Sequence, residues 1–526
     1  MAADTPHRAP NVCNICKLRK KRCDKTLPRC GYCRRQSLDC RYTIPPAPRA
    51  RGRVRVSAQS PPTPPASHAS PYTASPIQFP SRPLLCSPLT SASASDNDPR
   101  LNSWNEAVHS EAYRLIRETG RFFDDVTVAY FASVHVFVPL ISREQFHRHL
   151  FSFGASPVPD VGDFSLLLLV VGLITYHPAR AQAQAAAGNI DLPTLYLTAK
   201  SLFAQAQVLL TSTPSLYLIQ AGLLLAVFEY AHGNPDLALV TITGVARLAL
   251  VAGLDAGLSP DVALSASASD NGNANLDQDL ELAEKINTWW GIVICERTFL
   301  SESRNPTQPR LSQFPADDTP LPVESMAGTA SSAISIPLCF TTAPNLGGFA
   351  RTAQAAWLLD RVLNVIPLPN SEPKRIQLSD LDSQLRLFLA QVIAQKENNH
   401  NIYCASLALG IRALFILHCH IIHLFSDTDP DPDQDPATSI TSEIINRSNA
   451  ALTSATQMVV DIAMSHQELS DHQIDTLPPL CGYLMREALT HVHVLARDRN
   501  GHRDLLQATV DRLASRWNMS WSVALR

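Results

Sequence analysis

The stretch that decides the reading is Cys13-Asn14-Ile15-Cys16-Lys17-Leu18-Arg19-Lys20-Lys21-Arg22-Cys23, followed after six residues by Cys30-Gly31-Tyr32-Cys33 and after six more by Cys40. Each half has one layout, two cysteines two residues apart and a third after six more. A Cys-x-x-Cys turn brings two thiolates onto one metal ion. Zinc takes four ligands in a tetrahedron, so a single ion would leave two of the six cysteines over. Two ions need eight ligand positions, and six thiolates fill them only if two sulfurs serve both metals. The pseudo-twofold layout assigns that bridging role to the leading cysteine of each half, Cys13 and Cys30.

Between Cys16 and Cys23 the chain carries five cations in six residues, Lys17, Arg19, Lys20, Lys21 and Arg22. So short a segment does not hold a helix alone, because nucleation costs more than one or two turns return. Anchoring both of its ends on one metal cluster supplies the closure, which makes metal binding and folding a single event. Two zinc ions and six thiolates sum to a formal charge of about minus two, offset by the flanking cations. A compact basic helix of this kind suits phosphates and the major groove of double-stranded DNA.

Other readings of the same residues fit less well. The chain opens Met1-Ala2-Ala3-Asp4 without an apolar signal-peptide core, which argues for a reducing compartment and against a disulfide framework. Iron–sulfur sites use other cysteine spacings and need no basic helix. A basic run alone is an import signal or a solvated face, but here it is interleaved with six regularly spaced cysteines.

Residues 13–40 resemble the DNA-binding domain of fungal two-zinc, six-cysteine transcription regulators. All six cysteines stand at that family's spacing, the first loop is basic, and Pro28 precedes Cys30 by two residues. The resemblance implies two zinc ions held by Cys13, Cys16, Cys23, Cys30, Cys33 and Cys40. It implies that the helix after the second cysteine reads a CGG-like triplet, with Lys20 as principal base contact and Arg19 beside it. Lys17, Lys21 and Arg22 become phosphate partners, and Arg34 and Arg35 begin the equivalent helix of the second half. A nuclear activator working with the transcription machinery or co-regulators, as a homodimer, also follows from the family, as does control of biosynthetic gene clusters in secondary metabolism.

The whole-chain composition divides in the same place. The formal net charge of −3 over 526 residues hides a basic head: residues 1–55 hold 15 Lys and Arg against 3 Asp and Glu, and the remainder 29 against 44. The expected organisation is a disordered N-terminus (1–12), the metal-stapled head (13–40), a linker (41–110) and an all-α body (111–526). Residues 43–100 contain 13 prolines amid Ser, Ala and Thr, a composition expected to be disordered. Arg49, Arg51, Arg53 and Arg55 make a second basic patch there. No sustained heptads follow the last cysteine, and Pro45, Pro46 and Pro48 would break a coiled-coil helix.

In the body, Thr213-Pro214 to Gly233 and Asn234-Pro235 to Gly253 read as two consecutive helices, each opened by a capping residue with proline and closed by glycine. Further amphipathic stretches are expected at 280–300, 349–366, 380–395, 402–425, 442–464, 479–496 and 504–517, with loops at 258–278 and 301–344. The body resembles the regulatory (middle-homology) domain of the same regulators. The resemblance is carried by Tyr130-Phe131 with His135, Phe137, Pro139 and Phe146, by Gly244-x-Ala246-Arg247-x-Ala249 with Gly253-Leu254, and by Trp289-Trp290 with Glu296-Arg297. The alternative function is a metabolite-sensing regulator whose helical body binds a small-molecule effector.

The remaining cysteines, among them Cys419, lack regular spacing and read as thiols of the core. His418, His420 and His423 beside Cys419 do not share one helical face, so packed or surface roles are expected rather than a metal site. Asp427, Asp429, Asp431, Asp433 and Asp435 read as a solvated loop. The longest apolar run, near 166–176, is shorter than the roughly 20 residues of a membrane span. A phosphate-cradling glycine loop, a nucleophile elbow and a zinc-protease helix are all missing from the sequence, so no enzyme is expected.

Overall fold

The structure is a computed structural model of the full chain, and it describes residues 12, 22–27, 29–35, 40, 99–153, 161–209, 213–258, 275–322, 336–396, 402–426, 437–495 and 499–517. The chain divides into two units, Met1–Thr90 and Ser91–Arg526. The expected disordered linker lies, up to residue 98, outside the described residues, as does the acidic run at 427–435.

The described part of the first unit has one helix, α1 (Gly31–Arg35). The second unit is built from helices α2 (Pro99–Glu118), α3 (Phe123–Ala132), α4 (Arg143–Phe153), α5 (Val161–Ile174), α6 (Pro178–Ala186), α7 (Leu192–Val208), α8 (Leu216–Ala231), α9 (Pro235–Val251) and α10 (Asn275–Glu302). It continues with α11 (Gly348–Val365), α12 (Glu372–Lys396), α13 (Cys404–Ser426), α14 (Ala437–Gln467), α15 (Asp471–Ile474), α16 (Leu480–His491) and α17 (Arg499–Trp517). Its described residues form no strand, only an isolated bridge between Pro320 and Pro337. An all-α body is therefore what the apolar periodicities build.

Successive helices pack as neighbours, α8 on α9, α9 on α10, α10 on α11, α11 on α13 and α13 on α14, and α17 returns to touch α6. The two apolar helices α5 and α8 are buried all round, as expected of segments without a polar face. Tyr483 of α16 stacks on Tyr230 of α8 with centroids 4.4 Å apart and donates to its carbonyl at 2.8 Å, joining the C-terminal helices to the centre.

Several boundaries differ from expectation. The expected start of the body at Glu111 falls inside α2, whose Trp104 and Val108 already belong to the core. Thr213-Pro214 does not open α8. Its cap is Ser215, whose hydroxyl accepts from the Leu218 amide at 3.1 Å, so proline sits outside the helix. Asn234 gives α9 no side-chain cap, and Pro235 at the first position needs none of the missing donors. Gly233 (φ +82°) and Gly253 (φ +69°) close both helices in the left-handed conformation that glycine alone adopts without strain. Among the described residues one helix, Cys404–Ser426, is long and apolar enough to cross a membrane, contrary to the expectation; most of its apolar stretch is packed inside the body.

Candidate metal centre and nucleic-acid interface

A five-residue helix cannot stand alone, so the environment of α1 has to hold it. Its first turn is closed by the Arg34 amide on the Cys30 carbonyl at 2.9 Å. Ahead of it, the Asp24 carboxylate accepts the Gly31 amide at 3.0 and 2.9 Å and places an anion at the helix N-terminus. Thr26 adds its amide at 3.3 Å and its hydroxyl at 3.0 Å to the same carboxylate, and the hydroxyl also reaches the Arg29 carbonyl at 3.2 Å. The Gly31 hydrogen bond is the main reason the Asp24 carboxyl is held below its ordinary range. A side chain at position 31 would meet Asp24 Oδ2 and push that carboxylate out of its present contact.

Around this helix the sulfurs converge. Cys30, Cys33 and Cys40 are buried, with their Sγ atoms all within 4.8 Å of one another. A second group, within the same limit, joins Cys30 to Cys23 and to Asp24. Cys30 therefore lies between the thiol that ends the first half and the two that complete the second. The Cys30 amide donates to Cys40 Sγ at 3.3 Å and the Cys33 amide to Cys30 Sγ at 3.4 Å. Donors aimed at sulfur stabilise thiolates, the form that binds metal. Tetrahedral zinc with Zn–S of about 2.3 Å sets sulfurs about 3.8 Å apart, within the spacing found here. Buried, clustered thiolates fit zinc, and the domain binds two zinc ions.

Of the expected DNA-contacting residues, Arg22, Arg34 and Arg35 are described, and all three are exposed. Cys13, Cys16, Lys17, Arg19, Lys20 and Lys21 lie outside the described residues. Asp24 was not singled out in the sequence. Its signal is an acid directly after Cys23 in an otherwise basic segment, seven residues ahead of a helix start.

The body motifs have structural roles. Tyr130, Phe131, His135 and Phe146 assemble one aromatic cluster, with Phe131 4.9 Å from His135 and 5.9 Å from Phe146. Burial pushes His135 down to about 4, so it packs as a neutral ring. Glu296 and Arg297, both buried, clasp the following loop: Arg297 donates to the Ser312 carbonyl at 2.7 Å and to Asp360 at 2.8 Å, while Glu296 accepts the Leu311 and Ser312 amides at 2.7 and 3.1 Å. His418 is buried against Asp382 at 3.1 Å. It is packed there, one of the two roles expected of it.

The profile of the fungal Zn(2)-Cys(6) binuclear cluster domain matches residues 11–49, which contain the whole site. The chain is 34% identical over 146 residues to the transcription factor BOA15 of Botryotinia fuckeliana (strain B05.10), a match covering 27% of this chain and 73% of that protein. No solved structure matches. With the six-cysteine layout, the converging sulfurs and these two matches, the chain belongs to the fungal Zn(2)-Cys(6) binuclear cluster transcription factors and is a zinc-binding, DNA-binding regulator of transcription.

Proposed function

We propose that this regulator acts in the nucleus as an activator that recognises CGG-like triplets, with Cys13, Cys16, Cys23, Cys30, Cys33 and Cys40 as the ligands of its two zinc ions. The observation that supports the ligand set best is Cys30, whose sulfur neighbours Cys23 on one side and Cys33 and Cys40 on the other, the placement a bridging thiolate needs. Zinc supplies the cross-link that a short basic segment needs in order to hold helical shape. Within that frame Lys20 contacts a base, while Lys17, Arg19, Lys21, Arg22, Arg34 and Arg35 supply base and phosphate contacts. The segment 41–98 links this head to a regulatory body starting near Pro99. Selection of bound duplexes from a random pool tests the specificity: enrichment of CGG-like triplets supports it, and enrichment of an unrelated motif refutes it. Transcript levels of bound genes should fall in a deletion strain; a rise would make the protein a repressor.

A second reading, in which the body also senses a small-molecule effector, is favoured by one cavity. About 230 Å³ opens between α12, α13 and α14, lined by Arg375, Leu378, Asp382, His418, Phe425 and Arg447 among others. Apolar walls with a few convergent polar groups are the usual make-up of a ligand site. His418 is 2% exposed and uses Nε2 on Asp382, while its Nδ1 has no hydrogen-bond partner. Small-molecule products of the enzymes that the regulated genes encode should raise the unfolding temperature of the wild type more than that of His418→Phe, which removes the polar ring nitrogens from the cavity wall; equal shifts would remove this reading.

A further inference from the structure

Cys419 lies on α13 between His418 and His420, yet its sulfur meets a histidine from another helix. Cys419 Sγ is 3.7 Å from His491 Nε2 of α16, and Glu487 Oε1, one turn earlier on α16, is 3.5 Å from the same nitrogen. The three ligand atoms all lie within 4.8 Å of one another. We propose that Cys419, Glu487 and His491 form a transition-metal site of zinc type in the helical body, additional to the two ions of the head.

The distances carry the argument. A nitrogen–oxygen separation of 3.5 Å is longer than an N–H···O bond, whose range is about 2.7–3.2 Å, and a single proton on Nε2 cannot serve both sulfur and oxygen. Tetrahedral zinc with Zn–S of about 2.3 Å, Zn–N of about 2.0–2.1 Å and Zn–O of about 2.0–2.2 Å separates sulfur from nitrogen by about 3.6 Å and nitrogen from oxygen by about 3.4 Å. The observed edges match those of a shared metal.

The ligands are also held from behind, as metal ligands are. Glu487 turns its other oxygen to Arg412 Nη1 at 3.0 Å, and Arg412 is fixed in turn by Glu302 at 2.7 Å, which offsets its charge. The imidazole of His491 stacks on Phe415 at 5.1 Å and 16° between planes. Side-chain exposures of 17% for His491 and 28% for Glu487 leave room for a water in the fourth position. One thiolate, one imidazole and one carboxylate suit zinc or cobalt(II); calcium and magnesium take all-oxygen sets.

The test is a difference in metal content between full-length proteins equilibrated in the same zinc-buffered solution. Cys419→Ser and His491→Gln should each hold one zinc per chain fewer than wild type. Cobalt(II)-loaded wild type should show thiolate-to-metal absorption in excess of the variants. Because the head contributes equally to every sample, the difference does not depend on how many ions the head holds. Helical circular dichroism and the unfolding temperature in chelator establish that each variant is folded; if one is not, Glu487→Gln replaces it. Equal zinc content in wild type and a folded variant would overturn the site.

Discussion

The base contact proposed for Lys20 and the phosphate contacts proposed for the arm arginines differ in what their loss should do to binding. A base contact gives about 1–3 kcal/mol of discrimination, whereas a phosphate contact carries no sequence information and lowers the salt slope by about one unit when lost. Lys20→Ala should therefore erode preference for a CGG-like triplet over a scrambled one while zinc content stays unchanged. Replacing Arg51, Arg53 and Arg55 together by alanine should weaken binding to both duplexes, reduce salt dependence and leave their ratio nearly intact. Titrations at two salt concentrations decide; an equal loss on both sequences for Lys20→Ala would demote it to a phosphate contact. A second residue-scale prediction concerns pH. Burial pushes Glu284 up to about 7, against the Ser142 amide that hydrogen-bonds its carboxylate. The folded state then binds more protons than the unfolded one between about pH 4.3 and 7. Its stabilisation is full below that window and lost as pH rises through it, by about 3–4 kcal/mol at most. Glu284→Gln keeps an acceptor for Ser142, so its stability should lose this pH slope; an unchanged slope across the window would refute the assignment.

At the scale of elements, two helical glycines predict opposite signs. A Cβ on Gly222 of α8 would meet Phe203 of α7 at 2.5 Å and Val245 of α9 at 2.6 Å, so the three helices cross where only hydrogen fits. Gly222→Ala should cost about 1–3 kcal/mol by overpacking. A Cβ on Gly244, on the exposed side of α9, meets nothing within 4 Å, and Gly244→Ala should gain about 0.5–1 kcal/mol from helix propensity. Denaturant midpoints measure both, and the same sign for the two would contradict the packing. This contrast also marks what was legible in the sequence. The helices at 280–300, 349–366 and 402–425 came from apolar periodicity and were found within a few residues of their observed ends. Helices α6 and α7 were missed, although Pro178 after His177 and Pro193 after Asp191 stand at helix starts; α6 is a short Ala-rich segment with little apolar pattern, whereas α7 carries Leu192, Leu195, Ala199, Leu202, Phe203 and Ala206 at helical spacing and was legible. The head was legible because metal geometry fixes ligand spacing along the chain. The Cys419, Glu487 and His491 grouping was not, since its partners are 68 and 72 residues apart and only packing of α13 on α16 brings them together.

For the whole molecule, the basic head, Pro-rich segment and acidic helical body predict a two-module protein. Limited proteolysis of the full chain should cut first within residues 43–98 and release a body fragment beginning close to Pro99, because Trp104 and Val108 are part of its core. A first cut within α2 or later would contradict that boundary. If zinc shapes the head into a sequence-reading surface, its removal must abolish selectivity, which can be measured by titrating the full-length protein against a duplex with a CGG-like triplet and its scrambled counterpart, before and after zinc is removed by a strong chelator and then restored. Tighter binding to the triplet is expected with zinc, no preference without it, and recovery of the preference when zinc returns. A preference that survives complete removal of zinc, or equal binding to both duplexes by the zinc-loaded protein, would contradict this role of zinc.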